Sequence, residues 1–150
     1  MRLTTRSRYG TRMVLDIAQH GTNGPVRIGD IAKRQNISVK YLEKLIRELR
    51  DAGYIRSRRG PKGGHALTKS PEDISVGEVV QVLEGEPGLV ECAGDTPCER
   101  SFECLTRCLW QDASEAMYAK LNSISFADLV HDRYLCPADG RGVLKQKLPG

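Results

Sequence analysis

The sequence predicts a mainly α-helical chain with a small β wing: a winged helix-turn-helix domain followed by a cysteine loop and a long helix. Three observations carry that expectation. Two helical patterns are separated by Asn36-Ile37-Ser38, the kind of interruption that joins two short helices at a turn. The stretch from Tyr54 to Lys69 reads as two short strands around the tip Gly60-Pro61-Lys62-Gly63-Gly64. Cys92, Cys98, Cys104 and Cys108, four of the five cysteines, fall in one segment where Phe102 is the only bulky apolar residue between the first and the third.

Residues 5–20 make the first predicted helix, with Tyr9, Met13, Ile17 and Ala18 near helical spacing and Gly21 just beyond the end. Arg2, Arg6, Arg8 and Arg12 mark its other side. After a Gly- and Pro-containing turn, Val26-Arg27-Ile28 leads into a second helix through Ile31 and Ala32. Ser38 suits the N-cap of a third, whose positions Val39, Leu42, Leu45, Ile46 and Leu49 form one apolar stripe and which stops at Gly53.

The opposite face of that third helix presents Lys40, Tyr41, Glu43, Lys44 and Arg47, with Ser38 at its start. Such a face suits a major groove, with base edges read near the helix N-terminus. A solvated surface helix accounts for the cations equally well, and the wing tips the balance. Arg56, Arg58, Arg59 and Lys62 bring charge to its tip, and Gly60, Gly63 and Gly64 allow close backbone approach to phosphates or a minor groove. The Gly-Lys-Ser or Gly-Lys-Thr ending of a nucleotide-binding loop is missing.

Ser75 and Glu78 form a capping box, with Ile74 and Val79 as its hydrophobic staple, opening a helix that ends near Leu83 and stops at Gly85. A long helix is expected from about Cys104, carrying Leu105, Leu109, Met117 and Leu121 with Trp110 nearby. A small domain has little left to cover it, so a partner chain is its natural cover. Ser125 and Asp128 start a short last helix through Val130. The expected organisation is a DNA-binding domain over 1–84, a cysteine loop and dimerisation helices over 85–131, and a loose tail over 132–150 that holds Cys136 as a spare thiol.

The net charge of +4 conceals a division. Residues 1–70 hold 16 Lys and Arg against 5 Asp and Glu, whereas residues 71–150 hold 7 against 14. A basic first half with an acidic second half fits a nucleic-acid-binding module joined to a sensing or dimerising one, or else ordinary solvated faces. Mean hydropathy is -0.42 and no apolar run approaches eighteen residues, so the expectation is a soluble, cytoplasmic protein with no membrane partner. The N-terminus has no apolar stretch to act as a secretory signal, which argues against a disulfide framework.

A loop this poor in apolar residues cannot order itself by burial, and a thiolate-bound metal would do so. Gaps of five residues let the chain wrap a bulky centre, while Cys104 and Cys108, four apart, would share one face of a helix. That geometry suits an iron-sulfur cluster better than structural zinc, which takes closer pairs, or a two-residue redox motif. Zinc and a thiol-disulfide sensor remain the alternatives. Glu91, Asp95, Glu99 and Glu103 disfavour thiolates, so an empty site should be less reactive than its cysteine count suggests.

Taken together, the opening Met-Arg-Leu-Thr, Ile-Ser-Val-Lys-Tyr-Leu-Glu at 37–43, Arg-Gly-Pro-Lys-Gly-Gly at 59–64, Val-Gly-Glu-Val-Val at 76–80 and the spacing of Cys92, Cys98 and Cys104 resemble the family of winged-helix regulators typified by IscR. Cys-Leu-Thr-Arg-Cys-Leu-Trp at 104–110 extends the likeness, which covers about residues 1–131. The resemblance implies a homodimeric transcription factor, not an enzyme, whose cluster state sets its affinity for double-stranded DNA at an inverted-repeat operator. The family pattern places a histidine three residues after the third cysteine, where this chain has Arg107, a cation that cannot ligate iron. Some relatives borrow an acidic residue from the partner's first helix, but the matching position is Arg8. Cys108 is therefore the expected fourth ligand; likeness favours 2Fe-2S, and four thiolates fit 4Fe-4S equally. An electron carrier using the same cluster would leave the basic wing unexplained.

Overall fold

The computed structural model describes residues 3–85 and 103–131. Arg2, Cys92, Cys98, Cys136 and the expected tail at 132–150 lie outside the described residues.

Thr4 opens the first helix, α1 (Thr5–His20), by accepting the Arg6 amide on its hydroxyl at 3.2 Å. α1 buries Met13, Val14 and Ile17 and runs through the middle of the molecule, packed against the second, third, fourth and sixth helices. α2 (Ile28–Gln35) ends at Asn36, which adopts the left-handed conformation at φ 53°. Asn is among the few side chains that visit this region readily, and here it turns the chain into the next helix. Ser38 accepts the Tyr41 amide at 3.3 Å and starts α3 (Val39–Asp51), where Leu42, Leu45, Ile46 and Leu49 are buried. Val39, at the first position of the helix, departs from the expected stripe: it is 40% exposed.

β1 (Ile55–Arg58) pairs antiparallel with β2 (Gly64–Leu67), Ile55 opposite Leu67 and Arg58 opposite Gly64. Val26 adds a further rung, on β2: its amide donates to the His65 carbonyl and its carbonyl accepts the His65 amide, both at 2.8 Å. The wing is thereby fastened to the segment that leads into α2.

α4 (Val76–Glu84) begins with the expected Ser75–Glu78 capping box, and Ile74 and Val79 flanking its start are fully buried. α5 (Arg107–Asn122) begins three residues later than expected, so Cys104 precedes the helix and only Cys108 lies on it. The two thiols do not share a helical face. α6 (Phe126–Val130) opens with a second capping box, Ser125 with Asp128, and puts Phe126 into the core. Backbone bonds from Val76 to Ile124 at 2.8 Å and from Phe126 to Ile74 at 3.0 Å close this end of the chain onto the start of α4.

Candidate nucleic-acid interface and thiol segment

Amphipathicity sets the orientation of α3. With Leu42, Leu45, Ile46 and Leu49 turned inward, helical periodicity leaves Lys40, Glu43, Lys44 and Arg47 exposed, with Ser38 exposed at the start. No ion pair joins Glu43 to Arg47. Glu43 is therefore not held by the cation one turn away, and its carboxylate remains available as an acceptor. Tyr41 is turned differently from its neighbours. It is half-buried, its ring edge-on to Tyr9 at 5.9 Å between centroids, and its hydroxyl lies 3.5 Å from Thr5 Oγ1.

The back of α3 is fixed by a second contact to α1: Arg6 donates to Glu48 at 2.7 Å, a bond that raises the pKa of Arg6. α1 is held to α2 more firmly. Asp16, 1% exposed, accepts both Nε and Nη2 of Arg34, the latter at 2.6 Å, and the Gln35 amide at 2.8 Å. Burial pushes the Asp16 carboxyl up, but the bonds from Arg34 and Gln35 outweigh it and hold its pKa below the usual carboxylate range. α3 is thus presented by a frame whose parts are ion-paired as well as packed.

In the wing, Arg56, Arg58, Arg59, Gly60, Pro61 and Lys62 are exposed. Gly63 is buried, and a Cβ there would collide with the Arg58 carbonyl oxygen. Gly64, at φ 154°, lies against Val26, whose carbonyl oxygen would be 2.5 Å from a Cβ. Close packing inside the wing therefore demands glycine at both positions before any ligand is considered. Among the described residues the wing tip receives one side-chain bond: Arg27 Nη2 donates to the Pro61 carbonyl at 2.6 Å. Arg27 is a functional candidate that the sequence motifs do not single out; the available signal is a cation at the start of α2, where a capping hydroxyl or carboxylate is the usual choice.

The thiol segment is described from Glu103 onward. Cys104 is half-buried with Sγ 3.5 Å from Thr106 Oγ1, and Cys108 is exposed. Among the described residues no group of three potential metal ligands converges. Two soft sulfur donors flank Arg107, whose guanidinium cannot ligate, so the donor chemistry of these positions fits a cluster held by thiolates and leaves Cys108 as the fourth-ligand candidate on the helix. Leu105, Leu109 and Trp110 stand exposed beside them at 98%, 56% and 39%. No helix among the described residues is long and apolar enough to cross a membrane.

Comparison with known proteins places this geometry. Residues 3–132 match Rrf2, described as an iron-dependent transcriptional regulator. The chain is 59% identical over 138 residues to "Protein rrf2" of Nitratidesulfovibrio vulgaris, covering 91% of this chain and 92% of that protein. It is 40% identical over 141 residues to the HTH-type transcriptional regulator IscR of Klebsiella pneumoniae (strain 342), covering 94% and 86%. Among solved structures, CymR (YrzC), the global cysteine regulator of B. subtilis, superposes with a TM-score of 0.75 at 32% identity, covering 88% of this chain and 98% of that one.

Proposed function

The chain belongs to the Rrf2 family of DNA-binding transcriptional regulators, and from that premise we propose that it is a homodimer whose affinity for promoter DNA follows the state of an iron-sulfur cluster. The observation that carries the DNA-binding part is the exposed, largely cationic face of α3 beside a wing fastened to the same frame. In this reading Ser38, Lys40, Glu43, Lys44 and Arg47 face a major groove. Arg56, Arg58, Arg59 and Lys62, with the backbone of Gly60 and Pro61, meet phosphates or the adjoining minor groove. Tyr41 acts from behind, setting α3 against α1. Residues 1–84 are the DNA-binding part; 85–131 hold the cluster and the dimer contact, with the exposed apolar start of α5 against its counterpart, in a cytoplasmic protein.

Cys92, Cys98, Cys104 and Cys108 would hold the cluster, 2Fe-2S or 4Fe-4S. When bound, such a group supplies an iron- and redox-sensitive charge centre that organises an otherwise apolar-poor segment. The protein's own part would be to bring Cys104 just ahead of α5 and Cys108 into its first turn. Exposure of Cys108 and the likeness to CymR favour a second reading, a regulator that senses thiol oxidation without a cluster.

Anaerobic purification, with iron and sulfide assayed and the visible spectrum recorded, decides between them. The expected result is cluster absorption that Ala replacement of Cys92, Cys98 or Cys104 abolishes and that Cys136→Ala leaves unchanged. A full spectrum retained in any of the first three variants overturns the ligand assignment. A colourless, iron-free wild-type protein selects the thiol-sensing reading.

A further inference from the structure

Arg27 stands at the N-cap of α2 and makes no capping bond there. An arginine at that position is locally unfavourable twice over. It cannot accept from the unpaired amides of the first turn, and its charge opposes the positive end of the helix dipole. Where a sequence breaks a local rule, the compensation is found elsewhere in the fold. Here the guanidinium reaches across to the wing and donates to the Pro61 carbonyl at 2.6 Å. The acceptor is the middle of the tip, between Arg59 and Lys62, and the backbone of Arg27 directly follows the Val26 rung that pairs with His65.

We infer that Arg27 is a positioning residue for DNA binding: it fixes the pitch of the wing tip relative to the helix-turn-helix and acts on DNA through Arg59. The inference rests on the proposed placement of the wing against DNA. Between β1 and β2 the tip is held by little else, the Gly63 amide donating to the Gly60 carbonyl at 2.9 Å, and that bond moves with the tip. The strand pairing and the Val26 rung fix the base of the wing, at Ile55–Arg58 and Gly64–Leu67. Among the described residues only the Arg27 bond ties the outer end to the frame that carries α3, so it determines whether Arg59 and the α3 face engage one duplex together.

The test is a double-mutant cycle on the full-length protein, purified anaerobically, with a duplex enriched by that protein from a random-sequence pool. Affinities are measured at several salt concentrations for wild type, Arg27→Ala, Arg59→Ala and the double variant. Arg27→Ala should weaken binding by about three- to tenfold and flatten the salt dependence by about one charge, because Arg59 then loses its phosphate. In the Arg59→Ala background the same change should add less than about twofold and leave the salt slope where Arg59→Ala put it. Arg27→Lys, which keeps a donor of similar reach, should restore most of the affinity. Equal effects of Arg27→Ala in both backgrounds, with a second charge lost from the slope, would make Arg27 a direct phosphate contact and overturn the inference while leaving the wing reading intact. No effect of Arg59→Ala alone would overturn both. Because Arg27 is exposed, the melting temperature checks folding; if Arg27→Ala falls apart, the same cycle run with Arg27→Gln decides the question.

Discussion

α3 and α5 differ in the kind of side chain each leaves uncovered. α3 puts its four interior apolar residues into the protein's own core and turns Lys40, Glu43, Lys44 and Arg47 to water. α5, longer by three residues, buries only Ser114 and Tyr118 and leaves Leu109 and Trp110 exposed at its first turn, with Leu105 just before. A charged face is stable in water and ready for a polyanion, whereas an apolar face of this extent is stable only when something covers it. The apolar face of α3 is thus covered within the chain, whereas the first turn of α5 keeps apolar side chains in water.

The largest effect that would sharpen this contrast is in α3. Leu45 is fully buried beneath the exposed cations, and Leu45→Ala should cost about 3 kcal/mol by removing apolar burial and leaving a cavity. Chemical denaturation would show it as a lower midpoint with little change in slope. Slightly smaller is the loss expected at the ion-paired support of the same module. Asp16→Asn keeps the shape but removes the charge facing Arg34, and should cost about 2 kcal/mol. Because the pKa of Asp16 is depressed in the folded state, this stabilisation is present above the ordinary carboxylate pKa and is lost as pH falls toward the folded one. The wild type and Asp16→Asn should therefore converge in stability below about pH 4. Curves that stay parallel well below that pH would mean that the carboxylate's charge is not what stabilises the fold.

At α5 the expected effect on the fold itself is smaller still. Leu109→Ser should change the stability of dilute, dissociated protein by less than about 0.5 kcal/mol, as for any exposed position, while weakening self-association in sedimentation. If Leu109→Ser instead destabilised dilute protein as much as Leu45→Ala, the two helices would be alike and the contrast would fail.

How much of this is legible in the sequence depends on the range of the interaction. Both capping boxes, the turn at Asn36 and the two strands of the wing are written in residues within four or five positions of each other, and all stand where periodicity and turn chemistry put them. The stripe of α3 is legible for the same reason, apart from Val39 at its end. The start of α5 is not, because a four-residue spacing of cysteines imitates helical periodicity without requiring a helix, and Cys104 in fact precedes it. Contacts between distant segments carry no local period. The Val26–His65 rung involves a single residue on one side, helical spacing alone assigns Tyr41 to the outer face although Tyr9 packs against it, and the reach of Arg27 to Pro61 spans 34 positions. Cys92 and Cys98 fall outside the described residues, and all four expected ligands rest on spacing and resemblance.

The smallest effect concerns the wing and pH. His65 lies opposite Ser57 in the strand pair, with Nδ1 2.9 Å from the Ser57 hydroxyl, and its backbone makes the rung with Val26. Burial, and then the charge of Arg50, push its pKa below the ordinary histidine value. The folded wing therefore takes up a proton less readily than the unfolded chain, whose histidine titrates near about 6.5. Stability contributed by the neutral ring is complete above that value and is lost as pH falls through the unfolded pKa toward the folded one. Between about pH 7.5 and 5.5 the carboxylates with lowered pKa, Asp16, Glu72, Glu78 and Glu84, stay ionised and contribute no slope, so a decline of under about 1 kcal/mol should be traceable to His65. His65→Gln, which retains a polar group near Ser57 and cannot titrate, should flatten that decline. The proposed self-association through α5 should not follow it, since Arg107–Asn122 contains no histidine. A His65→Gln variant that loses stability with acid as steeply as the wild type would clear the imidazole and assign the slope to another group.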